Sequence, residues 1–145
     1  MNDQEVVKYL SSKIPTPYTS EDANWWISTG SKMGIVKAID FNGSLVGCIG
    51  AEKGKFEYQR SAEIGYWIAK DHWSNGIATQ AVNEIISLVF NTTDTVRLFA
   101  SIFSQNTVSM RVLGKCGFEL EVVHNKAIYK DDIFYNNHVF SLLKT

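Results

Sequence analysis

The residues of this chain best suited to chemistry lie in Ala69-Lys70-Asp71-His72-Trp73-Ser74-Asn75-Gly76-Ile77-Ala78-Thr79-Gln80, where a strand-like run meets a helix-like run through a turn of small residues. The first N–H groups of any helix lack intrahelical partners, and with the positive end of the dipole they make an anion site. Gly76 has no Cβ, so a phosphate can approach the main chain there, and Ala78 and Thr79 keep the next turn slim. The pattern suits a diphosphate. Its alternative is an ordinary strand-to-helix turn with Ser74 or Asn75 as N-cap. A nucleotide P-loop would need Lys-Ser/Thr after its last glycine, where this turn continues Ile77-Ala78-Thr79. A dinucleotide fingerprint would need three spaced glycines, where only Gly76 stands.

Other reactive residue types give no comparable pattern. Cys48 and Cys116 form no Cys-x-x-Cys pair, and His72, His124 and His138 show no ligand spacing, so no metal is expected. Both cysteines read as buried, unreactive thiols.

The turn needs a sheet and a helix to hold it. Ile77/Ala78, Ala81/Val82, Ile85/Ile86 and Val89/Phe90 lay an apolar stripe along about four helical turns. Before the turn, Ile64, Tyr66 and Ile68 fall on one strand face and Glu63, Gly65 and Trp67 on the other. Upstream, Ile35 to Phe41 and Leu45 to Ala51 flank Asn42-Gly43, a hairpin signal, so three strands in succession predict an antiparallel meander. Thr95 to Phe103 alternates as a further strand, and its long crossover predicts a parallel, right-handed strand–helix–strand unit. Ser104 or Asn106 opens a second helix that Gly117 stops, with Val108, Val112 and Cys116 at four-residue spacing. Glu119 to Tyr129 and Phe134 to Leu143 are two final strands about the turn Lys130-Asp131-Asp132.

The beginning of the chain reads differently. Residues 1 to 10 look like the end of an amphipathic helix with Val6, Val7 and Leu10 on one face, and Pro15 and Pro17 make the following loop non-helical. Ser20 begins a helix with Glu21 and Asp22 in its first turn, and Trp25, Trp26 and Ile27 supply a large apolar face ending near Gly30.

With 145 residues the chain is long enough for one domain with a real core. Its net charge of -1 gives no overall electrostatic footprint for nucleic acid. It has no apolar run of about 18 residues, and its polar, acidic start Met1-Asn2-Asp3-Gln4-Glu5 is unlike a signal peptide; the expectation is a cytoplasmic protein with no membrane partner.

In order and spacing, several blocks resemble the GNAT acyl-CoA N-acetyltransferases, in particular the RimJ/RimL-like branch. They are Pro15-Thr16-Pro17-Tyr18-Thr19-Ser20-Glu21-Asp22-Ala23 with Trp26-Ile27, then Ala62-Glu63-Ile64-Gly65-Tyr66-Trp67-Ile68, then Trp73-Ser74-Asn75-Gly76-Ile77-Ala78-Thr79-Gln80-Ala81, and Asn106-Thr107-Val108-Ser109 ending in Lys115-Cys116-Gly117-Phe118. The implied fold is α/β, a mixed α+β sheet, in a single GNAT acetyltransferase domain over residues 1–145. Two departures stand out: the family turn more often has Gly at the position of Ser74 and Lys or Arg at that of Asn75, and the family usually begins with a strand and most of a helix before the position of Asn2, so this sequence is expected to lack that first strand. The edge so left is exposed, filled by residues outside this sequence, or filled by a partner chain, a homodimer being one arrangement.

The resemblance implies acetyl-CoA as cosubstrate, no metal, and transfer of the acetyl group to a primary amine by direct attack in a ternary complex. The diphosphate of coenzyme A would sit on the main chain of Ser74, Asn75, Gly76, Ile77, Ala78 and Thr79, and the pantetheine would lie as an extra strand along Trp67, Ile68 and Ala69. Glu63 would be the general base, directly or through water, against the alternative of a surface carboxylate. Asn106 and Ser109, three apart on one helical face, would meet the pantetheine and the sulfur, Ser109 helping to reprotonate the leaving thiolate; local capping is the alternative. Tyr66, Trp67, Tyr129 and Tyr135 are candidates for the acceptor wall or for the core. The acceptor stays open among a protein N-terminus, a ribosomal-protein amine, a polyamine, an aminoglycoside or an amino acid. A second reading is a catalytically silent acyl-CoA-binding or assembly module.

Overall fold

A computed structural model describes residues 1–145. The antiparallel meander is present: β1 (Ile35–Phe41), β2 (Ser44–Lys53) and β3 (Ser61–Ile68) pair in sequence. The β1–β2 turn is tight because Asn42 and Gly43 both accept positive φ, 53° and 85°. α3 (Ile77–Thr92) then carries the chain to β4 (Arg97–Phe103), which runs parallel to β3 as expected. α4 (Thr107–Lys115) leads to a long hairpin of β5 (Glu119–Lys130) and β6 (Ile133–Leu143), closed by Asp131 and Asp132 at φ 51° and 61°. β6 inserts beside β4, giving the six-stranded mixed sheet β1-β2-β3-β4-β6-β5, with β1 and β5 as its edges.

The stripe on α3 does what its period implies. Ile77, Ala81, Val82, Ile85 and Val89 are buried against Ile64, Ile68, Leu98, Ala100, Ile102 and Phe140 of the sheet, and α4 adds Leu113. The opposite sheet face holds a smaller aromatic cluster. There Phe103, Tyr135 and Tyr9 stack with centroids 5.2 to 6.3 Å apart. No helix is long and apolar enough to cross a membrane.

Two expectations near the N-terminus need correction. The first helix is a single turn, α1 (Gln4–Val7), capped by Asp3. The carbonyls left open at its end are met by the Lys130 ammonium, which donates to Val7, Lys8 and Leu10 O at 2.8, 3.2 and 2.8 Å from the far end of the chain. α2 (Ser20–Ser28) is opened by Thr19, whose side chain forms a capping box with Asp22. Its Trp25, Trp26 and Ile27 are 55%, 37% and 69% exposed rather than packed on the core. The helix folds back on the turn that follows it, where the two indoles close over buried Gly30. Helical period alone predicts an apolar face and does not supply the element that covers it.

Candidate active site

The β3–β4 pair holds register at only three positions, Ser61↔Arg97, Ala62↔Leu98 and Glu63↔Phe99. Both strands continue beyond this point unpaired with each other, and a gap opens between them. Ser61 O accepts from Gly54 N and Ala69 N donates to Val46 O on the β2 side, while Arg60 O accepts from Val96 N on the β4 side. By alternation, the main-chain groups of Tyr66 and Ile68 face the gap.

At the end of β3 the chain makes a short 3-10 turn, Lys70–His72, and then Ser74 and Gly76 both adopt left-handed conformations, φ 62° and 74°. Gly76 is the N-cap of α3 and offers no side chain to cap it. The first helical bond runs from Gln80 N to Gly76 O at 3.1 Å, and no protein group accepts from the N–H groups of Ile77, Ala78 or Thr79. The alternative in which Ser74 or Asn75 caps the helix is therefore not what forms. Three main-chain donors at the positive end of a 16-residue helix face outward beside the gap. From Gly76 and Thr79 a polar groove of about 570 Å³ extends along α3, bordered by Asn83 and Lys115.

The strand residues expected to lie along a ligand divide. Ile68 is buried in the core and its carbonyl is occupied by the Trp73 indole N–H at 2.7 Å. Ala69 N is committed to β2, so Tyr66, further back on the gap side, is where main-chain pairing with an added strand would fall. Trp67 is half-buried on the opposite face, in register with Cys48.

Helix α4 begins at the far side of the gap. Asn106 is its N-cap, accepting from Ser109 N at 3.3 Å, so the capping expected as the alternative reading belongs to Asn106. The half-buried Ser109 hydroxyl accepts from the Tyr66 hydroxyl at 3.2 Å, joining α4 to β3. Burial, above all, raises the Tyr66 phenol, which keeps it neutral. Cys116 caps the other end of α4 and donates to Thr79 O at 3.5 Å, tying it to the first turn of α3. Burial raises the thiols of Cys116 and Cys48, in keeping with unreactive roles.

Glu63 lies elsewhere: it is exposed on the face opposite α3, at the last paired position before the gap, with Glu52 in register across β2. Glu63 and Ser109 therefore stand on opposite faces of the sheet, and the gap is the passage between them. Tyr135 is core, stacked on Phe103 and Tyr9. Tyr129 is exposed at the β5–β6 turn, donating to Asp132 Oδ1 at 2.8 Å and stacking on Phe134, away from the gap.

Beyond the uncapped helix start and the parted strand pair, the model of the acetyltransferase (GNAT) domain matches residues 1–119. The chain belongs to the GNAT acetyltransferase family. GNAT proteins draw the acetyl group from acetyl-CoA. Among relatives, the uncharacterized N-acetyltransferase YoaA of Bacillus subtilis (strain 168) is 35% identical over 100 residues, 69% of this chain and 56% of YoaA. The uncharacterized N-acetyltransferase p20 of Bacillus licheniformis is 30% identical over 99% of this chain and 83% of its own length. The crystal structure of a GNAT-family acetyltransferase from Bacillus anthracis superposes with TM-score 0.82 at 24% identity, covering 98% of this chain and 83% of that one, which shows the same fold.

Within this GNAT fold several tied or buried residues carry little or no signal in the sequence. Trp73 closes the turn through Ile68 O, a tie that a tryptophan in a polar loop hints at without naming its partner. On β6, Asn137 and His138 sit in register with Phe103 and Ile102, and Asn137 Oδ1 and His138 Nδ1 are buried without partners. Nothing in their spacing signals this.

The turn also yields a prediction. Ser74 holds a left-handed conformation that costs a side chain about 1–2 kcal/mol. Glycine removes that strain and returns about 0.5–1 kcal/mol as extra unfolded-state entropy. Ser74→Gly is thus expected to stabilise the fold by roughly 0.5–1 kcal/mol, raising Tm by about 2–3 °C in thermal unfolding. A fall in Tm would show that Ser74 makes a compensating interaction.

Proposed function

We propose that this protein is an acetyl-CoA-dependent N-acetyltransferase moving an acetyl group to a primary amine by direct attack in a ternary complex. The observation that carries the reading is the uncapped start of α3 beside the β3–β4 gap. Charge-assisted hydrogen bonds of about 1.5–3 kcal/mol each outweigh the dipole's contribution of about 0.3–1 kcal/mol, so three or four amides would dominate cofactor affinity. In this reading the diphosphate takes the main chain from Ser74 through Thr79, and the pantetheine passes the end of β3 at Trp67, Ile68 and Ala69 and pairs with the main chain further back, at Tyr66, inside the gap. Asn106 holds the start of α4 and Ser109 meets the sulfur. The acetyl carbonyl then sits in the passage between the two sheet faces, cofactor on the helix side and acceptor on the side of Glu63.

An attacking amine must be neutral. Reaching that form at pH 7 costs about 1.4 kcal/mol for an α-amine of pKa near 8 and about 4.6 kcal/mol for a lysine of pKa near 10.4. Glu63 accepts that proton, directly or through water, and Glu52 beside it in register adds negative charge that draws a protonated amine to this face.

The sequence blocks favour the RimJ/RimL-like branch and with it a protein N-terminal α-amine as acceptor, small-molecule amines being the other class. We take residues 1–145 as one GNAT domain working in the cytoplasm, and a homodimer as the way a partner would cover the β1 edge. The test is release of free coenzyme A thiol from acetyl-CoA with a panel of peptide N-termini, polyamines, aminoglycosides and amino acids. Acceptor-dependent release is expected. Cofactor binding with no release from any acceptor would favour a silent acyl-CoA-binding module instead.

A further inference from the structure

A serine hydroxyl has one proton to give and two lone-pair sites. At Ser109 the main-chain N–H is fixed by Asn106 Oδ1, and Oγ already accepts a hydrogen bond from Tyr66. Tyr66 projects from β3 three residues beyond the last paired position, on the face shared with Ile64 and Ile68 and packed against the core. Its phenol, raised chiefly by burial, stays protonated, and the hydrogen bond runs from its O–H to Ser109 Oγ. Because the Tyr66 proton occupies the line between the two oxygens, the Ser109 proton must point to some other acceptor.

We infer that Tyr66 is a positioning residue of acetyl transfer, its hydroxyl turning the Ser109 O–H toward the sulfur of the acyl thioester. The inference rests on the reading of the site as an N-acetyltransferase. In the step concerned, the amine nitrogen bonds to the acyl carbon and the carbonyl π pair moves onto oxygen. The carbonyl then re-forms as the carbon–sulfur bond breaks, its electron pair staying on sulfur. The amine's surplus proton passes to Glu63 or water. Ser109 donates a hydrogen bond to the forming thiolate, which then takes its proton from solvent. Tyr66 keeps its proton throughout: burial raises its phenol above the ordinary tyrosine range, so it is a weaker acid than a thiol and full transfer to the sulfur is unfavourable.

A phenol that merely ties β3 to α4 would behave differently from one that orients Ser109. The experiment compares wild type, Tyr66→Phe, Ser109→Ala and the double variant in steady-state thiol release, with acetyl-CoA binding and thermal unfolding measured on each. Phenylalanine fills the same volume, so the fold is preserved. Each single substitution is expected to lower kcat about 5–10-fold with KM for acetyl-CoA within about twofold, and the double variant to be no slower than Ser109→Ala alone. An unchanged kcat in Tyr66→Phe overturns the inference, as do losses that multiply in the double variant or appear only in KM or Tm. All three leave the acetyltransferase reading standing. Wild type that releases no thiol with any amine overturns both.

Discussion

Gly76→Asp is expected to weaken acetyl-CoA binding by at least about 100-fold while Gly76→Asn stays within about tenfold of wild type. The two substitutions differ in charge and hardly in shape, and asparagine and aspartate are the side chains that best tolerate left-handed backbone such as the φ of 74° here. A Cβ built on Gly76 meets nothing within 4 Å, so neither variant collides with the fold, and each should lose no more than about 1–2 kcal/mol of stability. The carboxylate, however, stands at the mouth of the donors from Ile77 to Thr79. At about 5 Å from a phosphate and an effective dielectric near 20, it costs about 3 kcal/mol per phosphate charge, roughly two decades in Kd. Isothermal calorimetry with acetyl-CoA measures the difference directly. Equal affinities for the two variants would place the diphosphate elsewhere.

Glu63→Gln is expected to lower kcat by about 100-fold or more with the affinity for acetyl-CoA unchanged, because the carboxylate lies on the opposite sheet face from the cofactor helix. The size of the loss should depend on the acceptor. A lysine-type amine has further to go to reach its neutral form, so it should suffer more than an α-amine. With its base gone, the variant should speed up about tenfold for each unit of rising pH up to the acceptor's own pKa, since the neutral fraction rises in that proportion. Wild-type rate and pH profile in the Glu63→Gln variant would make Glu63 a surface carboxylate.

What the sequence makes legible here is what local pattern controls. The stripe from Ile77 to Phe90 and the Asn42-Gly43 turn emerge as expected, because period and turn chemistry act within a few residues. Asn106 as a cap is likewise written in the chain. The exposed indoles of α2 show the limit: an apolar face is visible in the sequence and its partner is not. The contact between Tyr66 and Ser109 spans 43 residues and exists only because the fold brings the first turn of α4 beside β3. The place where β3 and β4 part after Glu63 depends on pairing between strands more than 30 residues apart and is encoded in no short motif. Trp73 binding Ile68 O is similar: one long-range tie removes a strand carbonyl that the pattern alone would leave free for a ligand.

The proposed cofactor site rests on three amides that nothing in the protein accepts from. Their ¹⁵N–¹H resonances, followed as coenzyme A is added, report on that directly. The N–H signals of Ile77, Ala78 and Thr79 should move downfield further than any others and saturate together with binding. Saturable binding that leaves those three signals where they began would contradict the account.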